Sequence, residues 1–266
     1  MVARWLSHLE RRTVELDGVA RDVFVGGDGP AVVVMHEIPG VDPTMIGFAR
    51  RLIRAGMSVY LPSLVGQPGR RWTTAYAAGS IARACVAREF ATWATGTTSP
   101  IVRWLRSLAR LAHAERGGPG VGAIGMCLTG GFALAMMIDP TVVAPVLAQP
   151  SLPFPLTAAH RRDLGVDPVT LACAAARARE GVDVMGLRFR HDVLVPDARW
   201  ARLREVLGDR FLAVEIDSGP ANRHGIGPLA HSVVVKDLVD RPGHPTRRAL
   251  EQVIGFFQTR LGLAPA

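Results

Sequence analysis

Short uncharged runs alternate along this chain with longer segments in which apolar residues recur at helical spacing. The runs AVVVMHE (31–37), VGAIGM (121–126) and TVVAPVLAQP (141–150) carry few or no charges, which is typical of strands buried on both faces. A helix is predicted over 42–56, because its apolar residues recur every three or four positions and it ends in glycine. This alternation predicts a mostly parallel α/β sheet with helices on both faces.

The same criteria predict the remaining elements. Further strands are predicted at 13–18, 20–26, 57–64, 182–189 and 211–217, and further helices at 77–94, 99–115, 168–180, 196–207 and 245–261. We find no internal repeat, low-complexity tract or linker, so we predict a single domain over residues 1–266. In sheets of this class, functional groups gather at the carboxyl ends of the strands.

One stretch, residues 117–138, is free of charge and long enough to be considered as a membrane helix. Seven glycines and Pro119 interrupt it, however, and it divides more naturally into a loop, the strand 121–126 and a helix over 129–138. We therefore expect no membrane association from this stretch.

The charge pattern argues against a nucleic-acid partner. The formal net charge is +8, and Lys236 is the only lysine among 31 basic residues. Nucleic-acid binders collect their charge on one face or in one run, whereas these arginines are scattered.

The cysteines and the N-terminal segment bear on cofactors and location. Cys85, Cys127 and Cys173 are widely spaced and form no CxxC pair, so the sequence predicts neither a zinc site nor a disulfide framework. We expect no metal and no cofactor. The first residues contain no apolar run typical of a secretory signal, and with the free thiols this predicts a cytoplasmic location.

The segment GMCLTGG (125–131) follows a predicted strand and opens a predicted helix. This is the context of a nucleophile elbow, the sharp turn that lifts a nucleophile above the sheet. The N–H of Leu128 would then donate to a bound oxyanion, and the helix N-terminus would favour the thiolate of Cys127. The alternative is that Cys127 is a small buried apolar residue. The strand–turn–helix context favours the nucleophile.

Two later loops carry possible partners for Cys127. Asp192 follows the strand 182–189, where it could orient a histidine or cap the next helix. After the last predicted strand come His224, His231 and His244. Any of them would complete the chain order nucleophile, acid, base of the α/β-hydrolases, and spacing alone does not choose among them.

Four segments together resemble the dienelactone hydrolase family, α/β-hydrolases with a cysteine nucleophile. They are VVVMHEIPGVDP (32–43), GMCLTGG (125–131), HDVLVP (191–196) and AHSVV (230–234), and the match extends from about residue 14 to the final helix. The resemblance implies an α/β-hydrolase fold. It also implies Cys127 as nucleophile, Asp192 as the orienting acid and His231 as the base.

The resemblance gives roles to two further residues. It implies that Glu37 contacts the cysteine and controls when the thiolate forms, and that the N–H of Ile38 joins that of Leu128 as an oxyanion donor. The implied activity is hydrolysis of a small-molecule ester or lactone through a thioester acyl-enzyme. Monomer and dimer both remain open.

The sequence departs from the family where dienelactone is held by two arginines. Gln67 and Val235 stand about where those arginines are expected. Dienelactone itself is therefore not predicted as the substrate. The loop SLPFP (151–155) and Trp72 suggest a more apolar pocket.

Two other functions fit this sequence less well. A catalytically silent hydrolase-fold protein that binds a ligand or partner would have no need for cysteine, aspartate and histidine in this order. A glutamine amidotransferase also places cysteine at a strand–helix turn, but its histidine is normally followed by glutamate as H-x-E. Neither His231 nor His224 stands in such a sequence.

Overall fold

Eight strands form one sheet in the computed structural model, which describes residues 9–71 and 73–264. The strands are β1 (Glu10–Leu16), β2 (Val19–Gly26), β3 (Ala31–Met35), β4 (Ser58–Pro62), β5 (Val121–Met126), β6 (Val142–Ala148), β7 (Val184–Phe189) and β8 (Phe211–Ile216). Their order across the sheet is β1-β2-β4-β3-β5-β6-β7-β8. The β1–β2 and β2–β4 pairs are antiparallel and all others are parallel. The predicted α/β-hydrolase fold with a mostly parallel sheet is confirmed.

Helices cover both faces of this sheet. They are α1 (Pro43–Arg54), α2 (Thr74–Val86), α3 (Ile101–Arg116), α4 (Phe132–Met136), α5 (Ala158–Arg162), α6 (Pro168–Arg179), α7 (Asp197–Leu207) and α8 (Pro245–Arg260). Buried residues of α1 and α8 share one apolar core, and those of α3, α4, α6 and α7 share another on the opposite face.

The central strand β3 shows how one sequence serves both cores. Val33 and Met35 belong to the core that contains α3, whereas Val32 and Val34 belong to the core that contains α1 and α8. All four side chains are fully buried. Successive side chains of a strand point to opposite faces, so a strand between two helical layers must be apolar at every position.

The uncharged stretch 117–138 divides as the glycine pattern predicts. It forms strand β5, a 3-10 turn over Cys127–Thr129 and the short helix α4. Across the described part of the chain, no helix has the length and apolar character needed to cross a membrane.

The predicted helix 77–94 is wrong at both ends. Helix α2 begins at Thr74, because the hydroxyl of Thr73 accepts the N–H of Tyr76 and caps it. It ends at Val86, and the chain then makes a 3-10 turn that buries Phe90 against Phe132, with ring centroids 6.2 Å apart. Tertiary packing of this aromatic pair, which local periodicity does not encode, ends the helix early.

Candidate active site

Cys127 sits at the carboxyl end of β5, in the sharp turn that leads into α4. Its φ angle is 57°, in the left-handed region that residues other than glycine rarely adopt. Thr129 stabilises this turn, because its hydroxyl accepts the N–H of Met126 at 2.9 Å and donates to the carbonyl oxygen of Met35 at 3.0 Å. The turn is thereby tied to the neighbouring strand β3. A strained residue held by its surroundings is what a nucleophile elbow requires.

Two glycines of the GMCLTGG segment are needed for close backbone approach. A Cβ atom on Gly125 would collide with the carbonyl oxygen of Thr129, and one on Gly130 would meet the Cα of Pro150 at 2.5 Å. The spacing of glycines around Cys127 therefore reflects how tightly the turn packs on itself and on the loop after β6.

Asp192 and His231 meet beside Cys127. Nδ1 of His231 lies 2.6 Å from Oδ2 of Asp192, and both side chains are largely buried. The other oxygen of Asp192 accepts the N–H of Leu194 at 2.9 Å, which fixes the carboxylate in the loop after β7. Asp237 holds the histidine backbone, since Oδ2 accepts the N–H groups of both His231 and Ser232 at 2.8 Å.

The imidazole of His231 also lies close enough to Cys127 for the charge of the sulfur to bear on its pKa. Burial lowers the pKa of His231, but the negative charge of the Cys127 thiolate and the hydrogen bond to Asp192 outweigh burial. The pKa of His231 is raised well above its ordinary value as a result. The site is therefore arranged to hold a proton on the imidazole of His231.

The two competing histidines lie together elsewhere. The rings of His224 and His244 pack edge to face with centroids 5.3 Å apart, and Nδ1 of His244 bonds the hydroxyl of Thr246 at 2.7 Å. Among the three candidates in the described chain, His231 is the one that hydrogen-bonds Asp192 and interacts electrostatically with Cys127. The catalytic roles of these residues stay predictions.

Glu37 follows β3 and its carboxylate is almost fully buried. Its Oε1 accepts a hydrogen bond from the hydroxyl of Ser232 at 3.0 Å and lies 3.2 Å from Nζ of Lys236. Its Oε2 accepts a hydrogen bond from Nε2 of Gln149 at 3.4 Å. Within the described residues, its side-chain hydrogen bonds go to these neighbours, and none goes to Cys127. The predicted role of Glu37 at the cysteine stays a prediction.

The two predicted oxyanion donors flank the cysteine. Leu128 is the next residue in the elbow turn, and Ile38 follows Glu37 in the loop after β3. Ile38 and Leu128 pack in the same apolar cluster as Cys127. Lys236 donates from Nζ to the carbonyl oxygen of Ile38, which anchors that loop. The structure therefore places both loops beside Cys127, and the donor role of the two N–H groups stays a prediction.

The buried imidazole of His36 also fastens this loop. Its Nε2 accepts the N–H of Leu64 at 2.9 Å, so Nδ1 carries the proton and donates to the carbonyl oxygen of Glu37 at 2.9 Å. Complete burial lowers the pKa of His36 to about 4. His36 is thus a neutral bridge between the loops after β3 and β4.

Sequence reasoning missed two residues of the site. Gln149 lies between Glu37 and the N–H of Val233, and the hydroxyl of Ser151 lies 3.4 Å from Nε2 of His231. The N–H of Ser151 donates to the carbonyl oxygen of Cys127 at 3.1 Å. Both residues follow β6, and the rule that functional groups collect at the carboxyl ends of parallel strands would have directed attention there.

No group of three or more histidine, cysteine, aspartate or glutamate side chains in the described residues could hold a metal ion.

Known proteins resemble this chain in sequence and in fold. A sequence model of the dienelactone hydrolase family matches residues 21–259. The chain belongs to the dienelactone hydrolase family. Membership makes it a hydrolase that acts on ester bonds. Comparison with curated proteins returns no match.

Several solved structures share the fold of this dienelactone hydrolase family member. A candidate dienelactone hydrolase from Klebsiella pneumoniae subsp. pneumoniae MGH 78578 is 15% identical with a TM-score of 0.64, covering 94% of this chain and 97% of that one. A dienelactone hydrolase-like promiscuous phosphotriesterase from metagenomic libraries is 19% identical with a TM-score of 0.60, over 96% and 100%. Dienelactone hydrolase from Anabaena variabilis ATCC 29413 is 16% identical with a TM-score of 0.59, over 96% and 99%. These identities establish a shared fold.

Gln67 and Val235 stand about where the family has two arginines, and each lies in a different setting in this family member. Oε1 of Gln67 accepts a hydrogen bond from Arg70 at 3.3 Å, and the Arg70 guanidinium lies 4.2 Å from the ring centroid of Tyr76. Val235 is buried in the core. Trp72, which the sequence suggested for the pocket, lies outside the described residues.

Proposed function

We propose that this protein hydrolyses carboxylic esters or lactones with Cys127 as nucleophile, His231 as base and Asp192 as the acid that orients His231. The observation that carries the proposal is the position of one imidazole. Nδ1 of His231 bonds Asp192 at 2.6 Å, and the ring lies close enough to Cys127 for the charge of the sulfur to raise its pKa. Nδ1 is occupied by the carboxylate, which leaves Nε2 to exchange a proton with the sulfur.

In the first half of the reaction, the Cys127 thiolate attacks the substrate carbonyl carbon and a C–S bond forms. The C=O electron pair moves onto oxygen, where the N–H groups of Leu128 and Ile38 would stabilise the negative charge. As this intermediate collapses, the bond to the alkoxide breaks and the alkoxide takes the proton from Nε2 of His231. The product is a thioester, and in a lactone the freed hydroxyl stays on the acyl chain.

In the second half, neutral His231 accepts a proton from water at Nε2 while the water oxygen attacks the thioester carbonyl. The same two N–H groups would hold the second oxyanion. Its collapse breaks the C–S bond, releases the carboxylic acid and returns the thiolate opposite the imidazolium. Asp192 keeps Nδ1 protonated throughout, so Nε2 is always the nitrogen that exchanges the proton.

For Glu37 we propose the role that the family resemblance implies, control over when the thiolate of Cys127 forms. In the present arrangement its carboxylate bonds Ser232, Gln149 and Lys236. Direct contact with the cysteine would require the carboxylate to rotate away from these partners.

Hydrolysis of p-nitrophenyl acetate and a panel of small lactones by wild type and Cys127→Ala tests the proposal. We expect Cys127→Ala to reduce kcat by at least about 1,000-fold, since removing a nucleophile of this kind has effects of that size. Cys173→Ala, which removes an exposed thiol, is the matched control and should retain wild-type rates. Iodoacetamide should alkylate Cys127 in step with loss of activity, as measured by peptide mass spectrometry.

A second pair of variants tests the base. His231→Ala should lose activity. His224→Ala should keep it, because the ring of His224 packs against that of His244. Loss of activity in His224→Ala alone would refute the assignment of His231. A wild type that hydrolyses nothing and whose Cys127 resists alkylation would instead indicate a catalytically silent binding protein.

Two further expectations belong to this proposal. The free thiols Cys85, Cys127 and Cys173 support a cytoplasmic location, since such thiols persist in reducing compartments. We also propose that the chain is a single domain over 1–266.

A further inference from the structure

The nucleophile lies in an apolar setting. Cys127 is 9% exposed and packs in a cluster that we call the acyl cluster. Its buried members besides Cys127 are Ile38, Ala77, Ala84, Leu128 and Leu152, and Val65 and Phe154 pack at its half-buried edge. The side chains that pack with Cys127 in this cluster are all apolar.

We propose that the acyl cluster is the binding site for the acyl chain of the substrate, and that this chain is uncharged and aliphatic, about four carbons or longer. The inference rests on the proposed function, since it names the substrate class of the same site. An aliphatic chain that enters this cluster leaves water for apolar surroundings, which favours binding and the transition state alike.

Charged side chains near the acyl cluster are held by other groups. His231 bonds Asp192, and Arg199 bonds backbone carbonyl oxygens of the loop that carries Leu152. The single lysine, Lys236, lies 3.2 Å from the carboxylate of Glu37 and also bonds the carbonyl oxygen of Ile38. Arg70 stacks on Tyr76 and bonds Gln67. A substrate carboxylate in the acyl cluster would have to lose its hydration while these partners keep the cations, which is strongly unfavourable.

The wall formed by the loop after β6 is rigid. The buried guanidinium of Arg199 donates to the carbonyl oxygens of Pro150 at 2.9 Å and Pro153 at 2.5 Å, on either side of Leu152. The ring of Phe154 is supported by Trp93, with centroids 5.1 Å apart. Leu152 therefore has a fixed position beside Cys127, which lets it select for the length of an acyl chain.

Helix α2 also contributes to the acyl cluster. Its contribution to the acyl cluster is Ala77 and Ala84, whose side chains are single methyl groups. A larger side chain at position 77 would occupy the space that a longer acyl chain needs. Two substitutions in the acyl cluster should therefore shift the preferred chain length in opposite directions. Shortening Leu152 makes room for a longer acyl chain, and lengthening Ala77 removes room.

The test compares p-nitrophenyl acetate, butyrate and hexanoate with mono-p-nitrophenyl succinate. Butyrate and succinate esters share a four-carbon acyl chain and a leaving group, and differ in a terminal methyl against a carboxylate. We expect kcat/KM to rise about fourfold for each added methylene from acetate to butyrate. The succinate ester should be at least about 100-fold poorer than butyrate.

Three variants locate the site. Leu152→Ala should shift the optimum toward hexanoate, and Ala77→Leu should shift it toward acetate. Leu156→Ala is the matched control, because Leu156 lies in the same loop but is 70% exposed, and its substrate profile should equal that of wild type. Near-ultraviolet circular dichroism identifies any variant that fails to fold, and the other variant then decides the result.

The outcomes separate this inference from the proposed function. If wild type hydrolyses all the esters but prefers succinate, or shows no dependence on chain length, the acyl cluster is not the acyl site while the proposed function stands. If acetate, butyrate and the lactones all resist hydrolysis, the proposed function fails and this inference fails with it. Unchanged chain-length profiles in both folded variants, Leu152→Ala and Ala77→Leu, would also overturn it.

Discussion

The carboxylate of Asp192 accepts a 2.6 Å hydrogen bond from Nδ1 of His231, a residue 39 positions further along the chain. Asp192 lies in the loop after β7 and His231 in the long segment after β8, so the pair forms only when these parallel strands lie side by side. The bond fixes which ring nitrogen faces Cys127, and the predictions below begin from it.

Replacing Asp192 by asparagine should leave the fold intact and reduce kcat. The amide can present its N–H₂ group to Nδ1 and so favour the wrong tautomer of His231, an effect worth up to about 10⁴-fold in hydrolases of this type. Steady-state hydrolysis of p-nitrophenyl butyrate measures it. Asp28→Asn, at a fully exposed carboxylate, serves as control. A kcat within a factor of three of wild type would contradict the orienting role.

Because the pKa of His231 is raised, its contribution to the stability of the fold should decrease as the pH becomes alkaline. The native imidazole holds its proton above the ordinary pKa of about 6.5, so between that value and the native pKa the folded state binds more protons than the unfolded state. The contribution of the His231 proton to stability is therefore greatest below about pH 6.5 and falls as pH rises, by at most about 1.4 kcal/mol per pH unit.

Guanidinium unfolding of wild type and His231→Asn between pH 6 and 9 measures this contribution. His231→Asn should have the shallower slope, because it removes the titrating group. Identical slopes in the two proteins would show that the folded state does not hold the His231 proton.

The pH dependence of stability that His36 contributes has the opposite sign to that of His231. Burial lowers its pKa to about 4, so between about pH 6.5 and 4 the unfolded state binds more protons than the native state. Stability should fall as the pH falls through this window, by about 3 kcal/mol in total. In His36→Gln we expect lower stability at pH 7 and a flatter acid limb in urea unfolding. His191→Gln, at an exposed histidine, should keep the wild-type acid limb.

Two glycine-to-alanine substitutions should change stability in opposite directions. At Gly125 a Cβ atom would collide with the carbonyl oxygen of Thr129 in the elbow, so Gly125→Ala should destabilise by about 3 kcal/mol or more. At Gly47, inside α1, a Cβ atom meets nothing within 4 Å, so Gly47→Ala should stabilise by about 0.5–1 kcal/mol. Thermal unfolding of the two variants measures the difference, and equal shifts would contradict the collision at the elbow.

Local pattern alone determined the order of strands and helices, because the apolar periodicity of a segment depends on residues a few positions apart. The runs at β3 and β5 are apolar at every position because each is covered on both faces. The glycines around Cys127 encode the elbow in the same local way. The resemblance of four short segments added the family, which the match over 21–259 confirms.

The tertiary structure decided which distant groups meet. Three histidines follow β8, and strand order together with the bonds from Asp237 brings His231 rather than His224 or His244 to Asp192. It also gave Glu37 its present partners and ended α2 early through the packing of Phe90. Such contacts depend on how strands pair and loops pack across many positions, and nothing in the spacing of residues along the chain carries that information.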